Sequence, residues 1–317
     1  MIEPTMDTAV DQDIIEFHIL NRLDAHSLAS AASASSHMRR LCTENHLWRN
    51  ICADTWPSLS HPVAASLIAT FPAAHRAIFS DAFPSLNHSP RNPRITQPPP
   101  PELISAVDLY YKAKPVFSRV IQTETQKGWF LNSPLWVELL DSNTPMQLQG
   151  SQDQCLNHLQ ENLTLSWIIM DPSLKRAANL SSRRPLSAYR HCLSGDLHLL
   201  YALPMETVQC VIKVTCFGKL GGPMHVRQVT LSIEDTHGKL LMGRDTLLIL
   251  QDALIHGQRK KFDPHQLLQS FHNFSTLKTH IRERKATRDT AIDLFAMLLA
   301  FTLFLFLFLF CFMPFSV

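Results

Sequence analysis

Sixteen histidines and seven cysteines are the side chains of this 317-residue sequence best suited to hold a metal or attack a substrate, and their spacing supports neither. No His-Glu-x-x-His or His-x-x-x-His pair occurs, the spacings that set two imidazoles on one helical face. His191 and His198 are seven apart and would point to opposite faces of a single strand. Cys42, Cys52, Cys155, Cys192, Cys210, Cys216 and Cys311 are odd in number and include no C-x-x-C pair. That argues against a disulfide framework and a zinc cluster, and suits a reducing cytosol. There is no nucleophile elbow and no Walker loop. Gly218, Lys219, Leu220, Gly221 and Gly222 look superficially like a phosphate loop, but without Walker spacing or a following helix they read as a turn between strands. No metal, cofactor or catalytic set is expected.

The charge pattern suggests contacts instead. Net charge is +2, so no global field points to nucleic acid. Lys175, Arg176, Arg183 and Arg184, with Arg190 beyond, form a basic segment that could bind an acidic partner or phosphate groups, or simply be a solvated loop between strands. A second basic stretch, Arg259 to Arg288, carries a local net +6. It could touch anionic headgroups, and its topogenic role is sufficient explanation alone.

That stretch leads into twenty residues without a charge, Leu294 to Met313, of which seven are Leu and seven Phe. A helix of that length spans about 30 Å, the hydrocarbon thickness of a bilayer. Those fourteen side chains favour insertion by roughly 4–8 kcal/mol. The flanking cations keep the preceding body cytosolic, and no apolar run near Met1 resembles a signal peptide. Residues 292–313 therefore read as a single-pass tail anchor, with the endoplasmic reticulum or another endomembrane as the expected site.

At the other end, residues 11–56 read as three short helices. Ile15, Ile19 and Leu23 recur at helical spacing with Leu20 beside them. Asp24 is placed to cap a second helix carrying Leu28, Met38 and Leu41, and Asn45 a third carrying Leu47, Trp48 and Ile51. About 45 residues bury little surface alone, so this unit needs a partner or its own chain for support. Residues 62–83 read as a further helical stretch around Phe71, Ile78 and Phe79. Prolines from Pro84 to Pro101 mark a semi-stiff linker. From Leu103 to Leu250 the period becomes two: Leu163 to Ile169, Leu197 to Leu203, Val208 to Cys216 and Val229 to Ile233 alternate as half-buried strands between turn signals, which suggests an antiparallel β-sandwich.

Asp13-Ile14-Ile15, Ile19-Leu20-x-x-Leu23, Ser27-Leu28, Arg39-Arg40-Leu41 and Leu47-Trp48 together resemble the F-box. The segments Phe79 to Pro84, Gly128-Trp129-Phe130 and Lys175 to Pro185 extend the likeness to a plant family of F-box proteins with an uncharacterised C-terminal domain. The resemblance implies a non-catalytic, substrate-recruiting subunit of a cullin–RING ubiquitin ligase. It implies that Ile14, Ile15, Ile19, Leu20, Leu23, Leu28, Leu41 and Trp48 hold the ligase's small adaptor subunit, while the β-rich region holds an unidentified client. The other reading open to the sequence is a tail-anchored scaffold in which the helices only cap the β-domain. The expected fold class is α+β: a three-helix F-box at 11–58, a helical extension at 59–83, a Pro-rich linker at 84–101, a β-sandwich-like domain at 102–258, a basic helical stem at 259–290 and a transmembrane helix at 292–313.

Overall fold

The computed structural model describes residues 14–88, 98–140, 145–147, 152–205, 207–218, 222–261 and 263–312. The first described residues form a π-helical turn, Ile14–Ile19, which runs into a 3-10 turn, Leu20–Arg22. Three short helices follow: α1 (Ala25–Ala31), α2 (Ser36–Cys42) and α3 (Asn45–Thr55). Asp24 caps α1, accepting the Ser27 N–H at 2.8 Å, as its position predicts. The single helix expected over Leu28 to Leu41 is divided instead. Ser30 and Ser33 turn their hydroxyls onto nearby carbonyls, and Ser35 accepts the Met38 N–H at 3.1 Å to start α2. Asn45 does not cap α3; its side-chain oxygen accepts the His75 backbone N–H at 3.4 Å.

A 3-10 turn (Pro57–Ser60), α4 (Pro62–Ile68) and α5 (Ala74–Ala82) complete the helical part, with Phe71, Ile78 and Phe79 buried in its core as expected. Then come β1 (Ser85–Asn87), β2 (Glu102–Tyr111), β3 (Lys114–Glu124), α6 (Gly128–Asn132), β4 (Trp136–Leu140), β5 (Met146–Gln147) and α7 (Gln152–Asn162). Next are β6 (Leu163–Asp171), β7 (Arg176–Asn179), β8 (Ser187–Arg190), β9 (Leu197–Met205), β10 (Val208–Gly218) and β11 (Pro223–Asp235). The chain continues through α8 (Gly243–His256), β12 (Gln258–Lys260) and α9 (Pro264–Phe312).

Among the described residues, β1 and β12 form a small antiparallel pair, and the other strands form two antiparallel sheets. One has the order β3-β2-β6-β7, the other β4-β11-β10-β9-β8, with β5 also on β11. Val107, Leu109, Leu165, Trp167 and Ile169 of the first sheet meet Leu199, Tyr201, Ile212, Val214 and Leu231 of the second, which makes a sandwich core. The opposite face of the first sheet (Ile104, Ala106, Ile168, Met170, Ala177) shares a second core with Leu20, Leu28, Leu41, Trp48, Ile78 and Phe79. The four-stranded sheet is thus buried on both faces, between the helices and the other sheet. The fold is α+β, with a β-sandwich as the sequence suggests.

The expected linker is partly structured. β1 pairs with β12, and Gln251 and Thr125 donate hydrogen bonds to the Pro98 and Pro100 carbonyls. Pro90 and Pro93 lie outside the described residues, as do Lys219 to Gly221 between β10 and β11. The separate stem and anchor are one helix, α9, with β12 before it. Forty-nine residues make α9 roughly 74 Å long. Its first turns grip the body: Phe274 is buried, and Lys278 Nζ lies 2.7 and 2.8 Å from the two carboxylate oxygens of Glu234. Farther along, Leu294, Phe295, Leu298 and every Leu and Phe from Phe301 to Phe310 are exposed, and a window of mean hydropathy 2.6 contributes nothing to the interior.

Candidate functional site

Histidine pairing differs from its expectation without creating a metal site. His191 and His198 do not share a strand. The turn between β8 and β9 folds them together, with rings stacked at 5.2 Å. Tyr189 also meets His198, O to Nδ1 at 3.2 Å. Burial, Lys213 and His191 together hold the His198 imidazole below its ordinary pKa. Among the described residues no three His, Cys, Asp or Glu side chains are grouped to hold a metal ion.

The surface feature that stands out in the N-terminal part is apolar. Ile14, Phe17 and Ile19 are 47%, 56% and 50% exposed, unusual for three large apolar side chains within six residues. A π-helical turn closes i→i+5, so residues four and five apart lie over one another and Ile14 stacks towards Ile19. Ile15 and Leu23 are half-buried at the margin of this face. Leu20, Leu28, Leu41 and Trp48 are buried in the chain's own core, so they support the face from beneath and do not present it. Trp48 is further fixed by its indole N–H, which donates to the Cys42 carbonyl at 2.8 Å. Phe17 was not singled out by the α-helical spacing of Ile15, Ile19 and Leu23; a period widened by the π turn brings it out.

Beside Leu23 the surface falls into a groove of about 1060 Å³ between α1, α3 and α5, with Ala29, Trp48, Ile51, Phe79 and Phe83 along it. Its walls are held by the sheet. Asp108 of β2 accepts the Ser58 N–H at 2.9 Å and the Ser118 hydroxyl at 2.7 Å. Burial raises the Asp108 pKa above its ordinary value, against the pull of these hydrogen bonds. Trp56 Nε1–H donates to Ser166 Oγ at 3.0 Å, and the Tyr110 hydroxyl donates to the Thr55 carbonyl at 2.9 Å.

The basic segment is not a free loop. Arg176 opens β7 and pairs with Asp81 of α5, while Arg183 stacks over the Phe83 ring at 4.7 Å. Arg259, far away in sequence, donates to the Asp81 carbonyl at 3.0 Å and the Ala177 carbonyl at 2.8 Å. Lys175 and Arg184 are exposed. Two of the four candidate cations therefore fasten the helical part to the sheet, together with Arg259, which local spacing gave no reason to join to them.

An exposed apolar helical face and adjoining groove, mounted on a β-sandwich, define a protein-docking module. The F-box-like family matches residues 15–54, from the π turn to nearly the end of α3. F-box protein At2g27310 of Arabidopsis thaliana is 37% identical over 318 residues, which covers 94% of this chain and 94% of that protein. F-box protein At3g44326 of the same plant is 39% identical over 279 residues, covering 80% of this chain and 75% of its own length. No solved structure matches the chain. This chain belongs to the F-box protein family.

Proposed function

We propose that this chain is the substrate-recruiting subunit of a cullin–RING ubiquitin ligase, tethered to a membrane by α9. The observation that carries the adaptor reading is the division of labour within residues 14–48. Leu20, Leu28, Leu41 and Trp48 make the fold, and Ile14, Phe17 and Ile19 remain exposed on the segment that matches the F-box. Burying those three would contribute several kcal/mol, since a fully buried large apolar side chain contributes roughly 1.5–3 kcal/mol. The small adaptor is the partner, and the chemistry belongs to other subunits. Co-expression tests this: the adaptor co-purifies with the wild-type chain, and Ile19→Asp with Leu23→Asp abolishes capture. A wild-type chain that never retains adaptor overturns the reading.

The membrane reading is supported by the length and unbroken apolar surface of α9 beyond Asp293, and by the cations Arg282, Arg284, Lys285 and Arg288 that precede it. The body then lies on the cytosolic side. One observation favours a second reading, a membrane-tethered scaffold: the helices and the four-stranded sheet share a core, so the helices cap that sheet whatever else they bind. Adaptor capture separates the two.

A further inference from the structure

We propose that the open seam of the sandwich between β3 and β4 is the client site, and that it takes an extended, lysine- or arginine-bearing segment of another protein. The word client rests on the ligase reading above; the binding site does not.

Among the described residues, β3 and β4 are the outermost strands of their respective sheets, each paired along one edge. α7 and α8 insert Leu159, Leu250 and Leu254 into the core at other margins of the sandwich. Between β3 and β4 a groove of about 310 Å³ remains, with Ile121 and Glu124 on one wall, Trp136 and Glu138 on the other, and Trp129 and Phe130 at its end. An edge strand offers unpaired backbone N–H and C=O groups, and soluble proteins usually blunt such edges with proline, lysine or a covering element. β4 instead alternates buried Val137 and Leu139 with exposed Trp136, Glu138 and Leu140. That pattern suits strand addition, in which backbone bonding provides affinity and alternate side chains provide selectivity.

The side chains specify a cation. Trp129 and Trp136 are 65% and 48% exposed, whereas Trp48, Trp56 and Trp167 are buried. Exposed indoles flanking a groove attract ammonium and guanidinium groups through their π faces. Glu124 of β3 and Glu138 of β4 both line the seam, and Lys127 pairs with Glu124 at 2.6 Å. The ionised lining groups therefore leave an excess of one negative charge. Glu138 accepts hydrogen bonds from Gln228 and, at 3.4 Å, from the Trp136 indole, which orient the carboxylate without neutralising it. A second copy of the chain is a poor occupant. Antiparallel pairing of β4 with itself, centred on its middle residue, would set Glu138 against Glu138, and like charges directly opposite are destabilising.

The test uses the full chain in detergent micelles and three fluorescent nine-residue peptides of alternating valine and threonine, with two central lysines, glutamates or alanines. The lysine peptide is expected to bind at least tenfold more tightly than the glutamate peptide. W129A and W136A should each weaken it at least tenfold, and E138K should remove or invert the preference. Adaptor capture, measured on the same variants, should be unchanged, so loss of the ligase reading and loss of this site are distinguishable. The proposal is overturned if none of the peptides binds, if the basic and acidic peptides bind equally, or if the tryptophan variants bind as wild type. It is equally overturned if β-glucan oligosaccharides bind the seam in place of peptides, or if the seam holds a dimer that W136A dissociates.

Discussion

Asp81 of α5 and Arg176 of β7 form a two-bond clasp, Nε to Oδ2 at 2.9 Å and Nη2 to Oδ1 at 3.0 Å. The same carboxylate also accepts the Ala177 N–H at 3.1 Å. This one side chain thus ties the last helix of the docking unit to an edge strand of the sandwich. Asp81→Ala would strand a guanidinium and a buried backbone N–H. With Arg176 partly exposed, screening limits the loss to about 1–3 kcal/mol. Thermal unfolding should show a fall of several degrees in Tm, while Arg288→Ala, whose carboxylate partner is exposed and 4.0 Å away, should leave Tm unchanged. Equal effects from the two would deny the clasp its role.

Neighbouring residues, one on the exposed apolar face and one beneath it, should fail in opposite ways. Ile19 is half exposed and Leu20 is 1% exposed. Ile19→Asp should abolish adaptor capture while shifting unfolding by less than about 1 kcal/mol, as surface changes do. Leu20→Ala should cost about 2–5 kcal/mol of stability through the cavity it leaves. Pull-down and urea melts on the same two proteins check both halves. An Ile19→Asp chain that unfolds would place Ile19 in the core after all.

The strands at Val208 to Cys216 and Val229 to Ile233 were legible because polar residues occupy their alternate positions. Gln209, Thr215 and Thr230 are themselves buried, so these strands are covered more fully than half-buried strands would be. β2 was not legible, because both its faces are covered: Leu103 to Leu109 are all buried, polar Ser105 and Asp108 included, so no period survives. The F-box segment was legible as a segment, but which of its side chains are exposed was not. Four of its eight expected contacts lie inside, and Phe17 was hidden by a turn that is not α-helical. Bonds between residues such as Arg259 and Asp81, 178 positions apart, leave no local trace in a sequence.

Asp108 should govern part of the acid response. Burial raises its folded pKa above the ordinary value, so between those two values the folded state binds more protons than the unfolded one. Its contribution to stability therefore declines as pH rises from about 4 through the folded pKa. Asp108→Asn removes that term. The stability of the variant relative to wild type should increase between pH 4 and pH 7, measured by urea unfolding at both. A constant difference would mean that Asp108 titrates normally.

Thiol reactivity reports the same packing. Burial pushes the Cys52 and Cys216 thiols up to about 12, and raises Cys42 and Cys210 as well, whereas Cys192 is exposed at the turn between β8 and β9. The thiolate is the reactive form. At pH 8 an aromatic disulfide reagent should consume Cys192 rapidly, and Cys192→Ser should remove one equivalent from the fast phase. Rapid modification of Cys52 or Cys216 in the native chain would contradict their burial.

The apolar half of α9 gives the sharpest prediction about location. Its leucines and phenylalanines favour bilayer insertion by roughly 4–8 kcal/mol, and an arginine near the middle of a span costs about 2.5–3.5 kcal/mol. Leu305→Arg with Leu307→Arg should therefore cancel most or all of that margin. Leu305→Ala with Leu307→Ala should not, because the remaining surface is still apolar. After an alkaline carbonate wash the wild type and the alanine variant should stay in the membrane pellet, and the arginine variant should move to the supernatant. Leu305 and Leu307 lie more than twenty residues beyond Lys278, which still holds α9 to the body through Glu234, so adaptor capture should be the same for all three. An arginine variant that stays in the pellet would mean the chain is held by something other than this helix, and a wild type in the supernatant would mean that α9 finds a protein partner in place of lipid.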